Sequence, residues 1–328
     1  MHSLEGEYVP TQLLTSDKIN LLTEIYSILG KIEGYLLTDF LNIHSVNSLL
    51  MVNEIRYRNT LYGEDYTYED VILSLNSSSF KPEIKRQLEL FQMCFDYAKN
   101  RVKEYGILLP TDLLRLNQCF KSGEDKYLST KQSEVQTATI SEKVSSILRF
   151  LYMKETEAPL ILRLAVALSQ LESVYPIDVF AQDILSTLFV NQDAISNEVF
   201  LARPIIIAKA PHNLNNSIEI MLKVISLSYN EQFQTLRRLA ATKNQIACDM
   251  KIRFPKIYSD VFLKLLSENL TLRNEIIENE LSVSPKTATS YLKELESNNF
   301  IASKKVGREK IYVNTRLMDA ISDDLINR

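Results

Sequence analysis

The feature that most constrains the fold is a long apolar segment that one turn divides into two helices. From 159 to 174 only two residues are charged, so a helix over this range is apolar on nearly every side and belongs in a core. Tyr175-Pro176 ends it, because proline disfavours helical backbone at the residue before it and lacks an N–H donor. Asp178 can cap a second helix, which apolar spacing predicts over about 180–190. The chain is therefore predicted to be organised around this buried helix pair.

The segment PLILRLAVALSQLESVYPIDVFAQDILSTLFV resembles the central helices of Fic-domain proteins, which transfer AMP to protein hydroxyls. In that family the turn reads H-P-F-x-[D/N]-G-N-G-R. At these positions, apart from the variable x, this chain has Tyr175, Pro176, Ile177, Val179, Phe180, Ala181, Gln182 and Asp183. Tyr175 replaces the histidine base, Val179 the acidic metal ligand and Asp183 the phosphate-binding arginine. The resemblance therefore implies a Fic-like helical scaffold that keeps only the proline of the motif, without catalytic residues, a metal site or a nucleotide cofactor.

Glycine content supports the loss of a nucleotide site independently of the resemblance. Phosphate-binding loops turn backbone amides toward the ligand, and glycine usually supplies the backbone conformations that this needs. The chain has 7 glycines, none between Gly123 and Gly307, and no G-x-G pair. A P-loop and a dinucleotide-binding fingerprint are therefore excluded.

A second motif of the same family is also altered in the N-terminal part of the chain. LLTEIYSILGKIEGYLL, predicted as part of an amphipathic helix over 18–41, resembles the opening helix of the Fic N-terminal region, and NEIRYRNTLYGEDYTYEDVI resembles the segment after it. In regulated Fic proteins that segment carries S-x-x-x-E-G, whose glutamate blocks the nucleotide site. The corresponding residues here are Arg58, Tyr62 and Gly63. The resemblance implies that the inhibitory glutamate was lost together with the catalytic residues.

The segment TLRNEIIENELSVSPKTATSYLKELESNNFIASKKVGREKIYVN resembles a winged helix-turn-helix. We expect a first helix over 257–266 with Val261 facing inward, and a second over 272–281. Ser284 caps a third helix, and Pro285 occupies its first turn. Strands at 300–301 and 311–313 are predicted to flank a turn at Gly307 and form the wing.

The exposed face of this third helix and the wing carry the predicted DNA-binding residues. From 284 to 313 six basic residues stand against three acidic ones, a local charge of +3 in a chain whose net charge is −4. Such a local positive balance is typical of phosphate contact. The candidate residues are Lys286, Thr287, Thr289, Ser290, Lys293, Lys304, Lys305, Arg308 and Lys310. Winged helices also bind proteins or dimerise, so a protein-interaction role remains open.

Cysteine usage and hydropathy indicate a cytoplasmic protein. Cys94, Cys119 and Cys248 form no C-x-x-C pair, which favours reduced thiols over a zinc site. The N-terminus is acidic where a signal peptide would be basic, and no segment approaches the roughly 20 apolar residues of a membrane span. We therefore expect no membrane partner.

Together these patterns predict a mainly α protein, a Fic-like helical core with a C-terminal winged helix-turn-helix. The predicted divisions are a Fic N-terminal-like region over 1–80, the core over 81–232, a connecting helix over 233–254 and the winged helix over 255–328. The favoured function is a non-catalytic regulator that binds DNA or acts as a scaffold, and a homodimer is compatible with it. Two alternatives stay open: AMP transfer through non-standard residues, and a protein-only adaptor.

Overall fold

The structure is a computed structural model that describes residues 14–37, 43–61, 63–64, 66–76, 80–128, 138–153, 158–175, 177–193 and 214–322. Within these ranges the chain forms thirteen α-helices and three short strands, which confirms the mainly α fold predicted from the sequence. None of the described helices is long and apolar enough to cross a membrane. The chain divides into two compact units, one from 1–33 and 89–231 and the other from 34–88 and 232–328.

The first unit is helical throughout its described part. Three helices contribute residues to both units, and they are α1 (Ser16–Leu36), α4 (Pro82–Tyr105) and α9 (Leu214–Arg253). The others in the first unit are α5 (Pro110–Ser122), a 3-10 turn (Asp125–Leu128), α6 (Ala138–Leu151), α7 (Leu160–Val174) and α8 (Val179–Asp193). The predicted helix over 18–41 ends earlier, at Leu36, and residues 38–42 lie outside the described ranges.

The helix pair that the sequence predicts is buried in the first unit. Every residue of α7 from 160 to 169 and every residue of α8 from 180 to 190 is buried. Asp178 caps α8, because its Oδ1 accepts the N–H of Phe180 at 3.0 Å. The N–H of Asp178 in turn donates to Oδ1 of Asn117 on α5 at 2.7 Å. Side-chain oxygens therefore fix where α8 starts.

One charged side chain in the buried helix is explained by its partners. Arg163 donates through Nη1 to the carbonyl oxygens of Leu151 at 2.8 Å and Met153 at 2.7 Å. Leu151 is the last residue of α6, where helix carbonyls lack partners within the helix and carry negative partial charge, and Met153 follows two residues later. The arginine therefore satisfies the end of α6 and joins it to α7.

The second unit combines two N-terminal helices with the C-terminal part of the chain. Its N-terminal elements are α2 (Ile43–Leu61), α3 (Tyr68–Asn76) and the start of α4. The last part of α9 follows; α9 is one helix of 40 residues, and the segment predicted as a connecting helix over 233–254 falls in its C-terminal half. The remaining elements, here called the C-terminal module, are α10 (Asp260–Glu268), β1 (Thr271–Leu272), α11 (Asn274–Leu281), α12 (Pro285–Ser297), β2 (Ala302–Val306), β3 (Glu309–Val313) and α13 (Thr315–Ile321).

The strands of the C-terminal module form one antiparallel sheet in the order β1-β3-β2. Ala302 pairs with Val313 and Val306 with Glu309, so β2 and β3 form a hairpin around Gly307, which has a φ of 60°. This left-handed conformation suits glycine, which has no Cβ to clash there. Ser284 caps α12 as predicted, since its hydroxyl accepts the N–H of Thr287 at 3.2 Å.

Three local predictions for this module are wrong. Residues 300–301 are not a strand; β2 starts at Ala302, where its pairing with Val313 begins. Leu272 lies in β1 and not in the second helix, which starts at Asn274. Val261 is 46 % exposed, although it was expected to face inward. The cap at Ser259 sets the start of α10, and Phe262 and Leu266, four residues apart, then form the buried face.

Helix α13 is fastened by hydrogen bonds within the second unit. Asn53 on α2 donates through Nδ2 to the carbonyl oxygen of Ile321 at 3.0 Å, and Arg238 on α9 donates through Nε to that of Ala320 at 2.8 Å. Both carbonyls belong to the last turn of α13, which has no intrahelical donor for them. The C-terminal module is thus tied to α2 and α9 and does not stand apart within this unit.

Candidate functional site

The turn between α7 and α8 holds the residues that the sequence resemblance assigns to the catalytic positions of the Fic motif. Tyr175 and Val179 are half-buried, and Pro176 lies outside the described residues. The other five motif positions are buried, and they are Ile177, Phe180, Ala181, Gln182 and Asp183. The structure therefore brings the motif residues together, but largely as interior side chains.

Phe180 occupies a glycine position of the motif and belongs to an aromatic cluster. Its side chain is 1 % exposed. Its ring centroid lies 4.8 Å from that of Phe91 and 5.2 Å from that of Phe120, both in edge-to-face geometry. Such pairs stabilise a core beyond the area they bury. The resemblance expects a glycine at this position, whereas this chain has a packed aromatic ring.

The polar side chains at the start of α8 are also engaged inside the protein. Gln182 donates through Nε2 to the carbonyl oxygen of Ile177 at 3.1 Å. Asp183 is buried. The pKa of Tyr229 on α9 is raised first by the burial of Tyr229 and then by the negative charge of Asp183. A carboxylate at the arginine position repels a phosphate group where the family attracts one.

Near Tyr175 the structure places one carboxylate with a perturbed pKa. Burial raises the pKa of Glu172, and the positive charge of Lys121 partly opposes this rise. Lys121 also lies over the ring of Tyr175, with Nζ 5.1 Å from the ring centroid. A carboxyl with a raised pKa is a candidate proton-transfer group. Sequence reasoning missed Glu172, because nothing in the motif pointed to it.

The inhibitory-motif positions are only partly described. Tyr62 and the side chain of Arg58 lie outside the described part of the chain. Gly63 has a φ of 80° and donates its N–H to the carbonyl oxygen of Thr60 at 3.2 Å, so it ends α2 in the left-handed conformation typical of a helix C-terminus. Elsewhere, the residues that the structure describes contain no group of three or more metal-ligating side chains.

The C-terminal module carries the candidate nucleic-acid interface. Four of the six predicted cations are exposed and form no ion pair with any described residue: Lys286 and Lys293 on α12, and Lys305 and Arg308 on the wing. We call these four the basic face. A cation without a protein partner can exchange its counterions for phosphates directly.

The two other cations already have acidic partners. Lys304 on β2 pairs with Glu69 on α3, with Nζ 2.9 Å from Oε1. Lys310 on β3 pairs with Glu296 on α12 at 3.1 Å, and its Nζ lies 4.7 Å from the ring centroid of Tyr312. These pairs lower the charge that the wing offers to a ligand. No sequence pattern pointed to Glu69 as a partner, because it lies far away in the chain.

The predicted role of the hydroxyl side chains on α12 needs one correction. Thr289 was expected on the outside, but its hydroxyl accepts a hydrogen bond from Nδ2 of Asn274 at 2.8 Å and donates to the carbonyl oxygen of Pro285 at 2.8 Å. It therefore ties α11 to α12. Ser290 is exposed as expected, and the hydroxyl of Thr287 lies 2.9 Å from that of Ser284, within the cap of α12.

Comparison with known proteins gives one family match. Residues 243–317 match the family described as the C-terminal domain of SoFic-like protein adenylyltransferases. No curated protein matches the chain. The matched residues run from the last turns of α9 into α13 and include the basic face. The match supports a relationship of this chain to the Fic family through its C-terminal module.

Proposed function

We propose that this chain is a non-catalytic Fic-like regulator whose C-terminal module is a winged helix that binds duplex DNA. The division into a Fic N-terminal-like region (1–80), a Fic-like core (81–232), a connecting helix (233–254) and the winged helix (255–328) is part of this proposal. The observation that carries it is the basic face, four exposed cations on one helix and the hairpin next to it that form no ion pair with any residue the structure describes.

The topology of the C-terminal module supports the winged-helix interpretation. Helices α10, α11 and α12 precede the hairpin of β2 and β3, and β1 joins the same sheet between the first two helices. In proteins with a helix-turn-helix, the last of these helices enters the major groove. Here that helix is α12, capped by Ser284, with Lys286 and Lys293 exposed.

The packing at the start of α8 supports the non-catalytic part of the proposal. The ring of Phe180 contacts two other aromatic rings, and Asp183 puts a buried negative charge at a phosphate-binding position. Loss of a general base alone costs about 10²- to 10⁴-fold in rate. Loss of phosphate electrostatics adds to that.

DNA binding is tested with the full chain and a fluorescein-labelled mixed-sequence duplex, followed by fluorescence anisotropy. We expect Lys293→Ala and Arg308→Ala each to weaken binding by about ten-fold at about 50 mM salt, because each removes one phosphate contact. Lys264→Ala is the matched control, since Lys264 is exposed on α10 outside the basic face. Equal losses in all three variants, or no binding by the wild type, refute the proposal and favour a protein-only adaptor.

A second candidate, AMP transfer through non-standard residues, is favoured by the match to an adenylyltransferase family and by the raised pKa of Glu172. Incubation of the full chain with labelled ATP and a protein acceptor tests it against a heat-killed control. The non-catalytic proposal predicts no label above the control. Transfer that is lost in Tyr175→Phe or Glu172→Gln would establish the enzyme instead.

A further inference from the structure

Helix α3 reaches the wing of the C-terminal module through an ion pair. Nζ of Lys304 lies 2.9 Å from Oε1 of Glu69, and the two side chains are 47 % and 37 % exposed. The pair is thus open to solvent on one side, where a phosphate can approach Lys304. Lys304 also precedes Lys305 of the basic face in β2.

The position of Glu69 is fixed by the start of its helix. Thr67 and Asp70 form reciprocal hydrogen bonds: the hydroxyl of Thr67 accepts the N–H of Asp70 at 3.1 Å, and Oδ2 of Asp70 accepts the N–H of Thr67 at 3.0 Å. This capping pattern holds the first turn of α3, which contains Glu69. A carboxylate in the first turn is also stabilised by the helix dipole.

A second connection holds the same two elements together. Arg273, just before α11, donates through Nη2 to the carbonyl oxygen of Asn76, the last residue of α3. Its Nη1 lies 3.0 Å from Oε2 of Glu309 in β3. Arg273 thus bridges the end of α3 and the hairpin. The pair between Glu69 and Lys304 is therefore part of a docked contact and not an isolated surface pair.

We infer that α3 restrains DNA binding by the wing, with Glu69 competing with DNA phosphates for Lys304. The inference rests on the proposed function and adds a regulatory element to it. While the ion pair persists, the wing offers Lys305 and Arg308 to DNA but not Lys304. A change that withdraws Glu69 adds one phosphate contact to the interface.

The test uses Glu69→Gln in the full chain, which removes the charge and keeps the size of the side chain. An exposed ion pair is typically worth little, so we expect DNA affinity to rise by about two- to five-fold. The slope of log affinity against log salt should steepen by at most about 0.9, the contribution of one phosphate contact, because so weak a pair also opens in some of the wild-type complexes. Glu83→Gln is the matched control, because Glu83 is exposed on α4 in the same unit and its change alters the net charge equally.

A double variant shows whether Glu69 acts through Lys304. In a Lys304→Ala background, Glu69→Gln should leave both the affinity and the slope unchanged. An increase that persists without Lys304, or one that Glu83→Gln reproduces, overturns the inference and indicates a general charge effect. A Glu69→Gln protein that binds DNA with the same affinity and slope as the wild type also overturns the inference, but it leaves the proposed function intact. If neither the wild type nor Glu69→Gln binds DNA at about 50 mM salt, the proposed function fails and the inference fails with it.

Discussion

Replacing Phe180 with alanine tests whether the start of α8 is a packed core or a vacated nucleotide site. The side chain is 1 % exposed, and its ring contacts the rings of Phe91 and Phe120. Removing a buried phenylalanine typically costs about 3–5 kcal/mol, because apolar contacts are lost and a cavity remains. The total stability of a protein is usually about 5–15 kcal/mol. We therefore expect Phe180→Ala to lower the free energy of unfolding by about 3–5 kcal/mol.

Urea denaturation followed by far-ultraviolet circular dichroism measures this loss. Leu227→Ala is the matched control, because Leu227 is 55 % exposed on α9 in the same unit, and its truncation should change stability by less than about 0.5 kcal/mol. A Phe180→Ala protein within about 1 kcal/mol of the wild type would refute the packed-core interpretation. Phe180→Gly, which introduces the glycine of the motif, should destabilise at least as much, since glycine adds backbone entropy to the unfolded chain. It should not create ATP binding.

Two further variants test contacts in the second unit. Thr289→Val removes the hydroxyl that joins Asn274 to α12 and should lower the free energy of unfolding by roughly 0.5–1.5 kcal/mol per lost hydrogen bond. Ser290 is exposed, so Ser290→Ala should be near neutral in thermal denaturation. Equal effects of the two changes would contradict the role assigned to Thr289. Burial alone would raise the pKa of Asp70, but hydrogen bonds from Lys81 and Thr67 hold it below its usual range. A depressed pKa stabilises the fold above the unfolded value of about 3.9. Asp70→Asn should therefore be less stable than the wild type at pH 7, and the difference should disappear as the pH falls through the folded pKa; a difference that persists at pH 2 would contradict this.

The sequence predicted features that depend on neighbouring residues. The buried helix pair follows from apolar residues at helical spacing, and the caps at Asp178 and Ser284 follow from side chains that bond to backbone two or three residues away. The residues that the resemblance assigns to the Fic motif could also be read directly from the sequence. The rings that surround Phe180 could not, because Phe91 and Phe120 come from two other helices.

Long-range contacts explain what the sequence did not show. Lys304 is one of the basic residues that predict DNA contact, and only the fold shows that Glu69 is its partner. Thr289 looks like an outward-facing hydroxyl on a helix, but Asn274 on the preceding helix engages it. The strand boundary at Ala302 depends on its pairing with Val313, which no local pattern specifies. Each of these features depends on a residue that is distant in the chain and close in space.

The salt dependence of DNA affinity decides whether the C-terminal module binds phosphates with its basic face. The full chain is titrated onto a mixed-sequence duplex by fluorescence anisotropy at several salt concentrations, from about 50 mM to about 150 mM. Four phosphate contacts, one for each cation of the basic face, predict that log affinity falls against log salt with a slope of about −3.6. No binding even at about 50 mM salt, or an affinity that does not change with salt, would contradict DNA recognition by these residues.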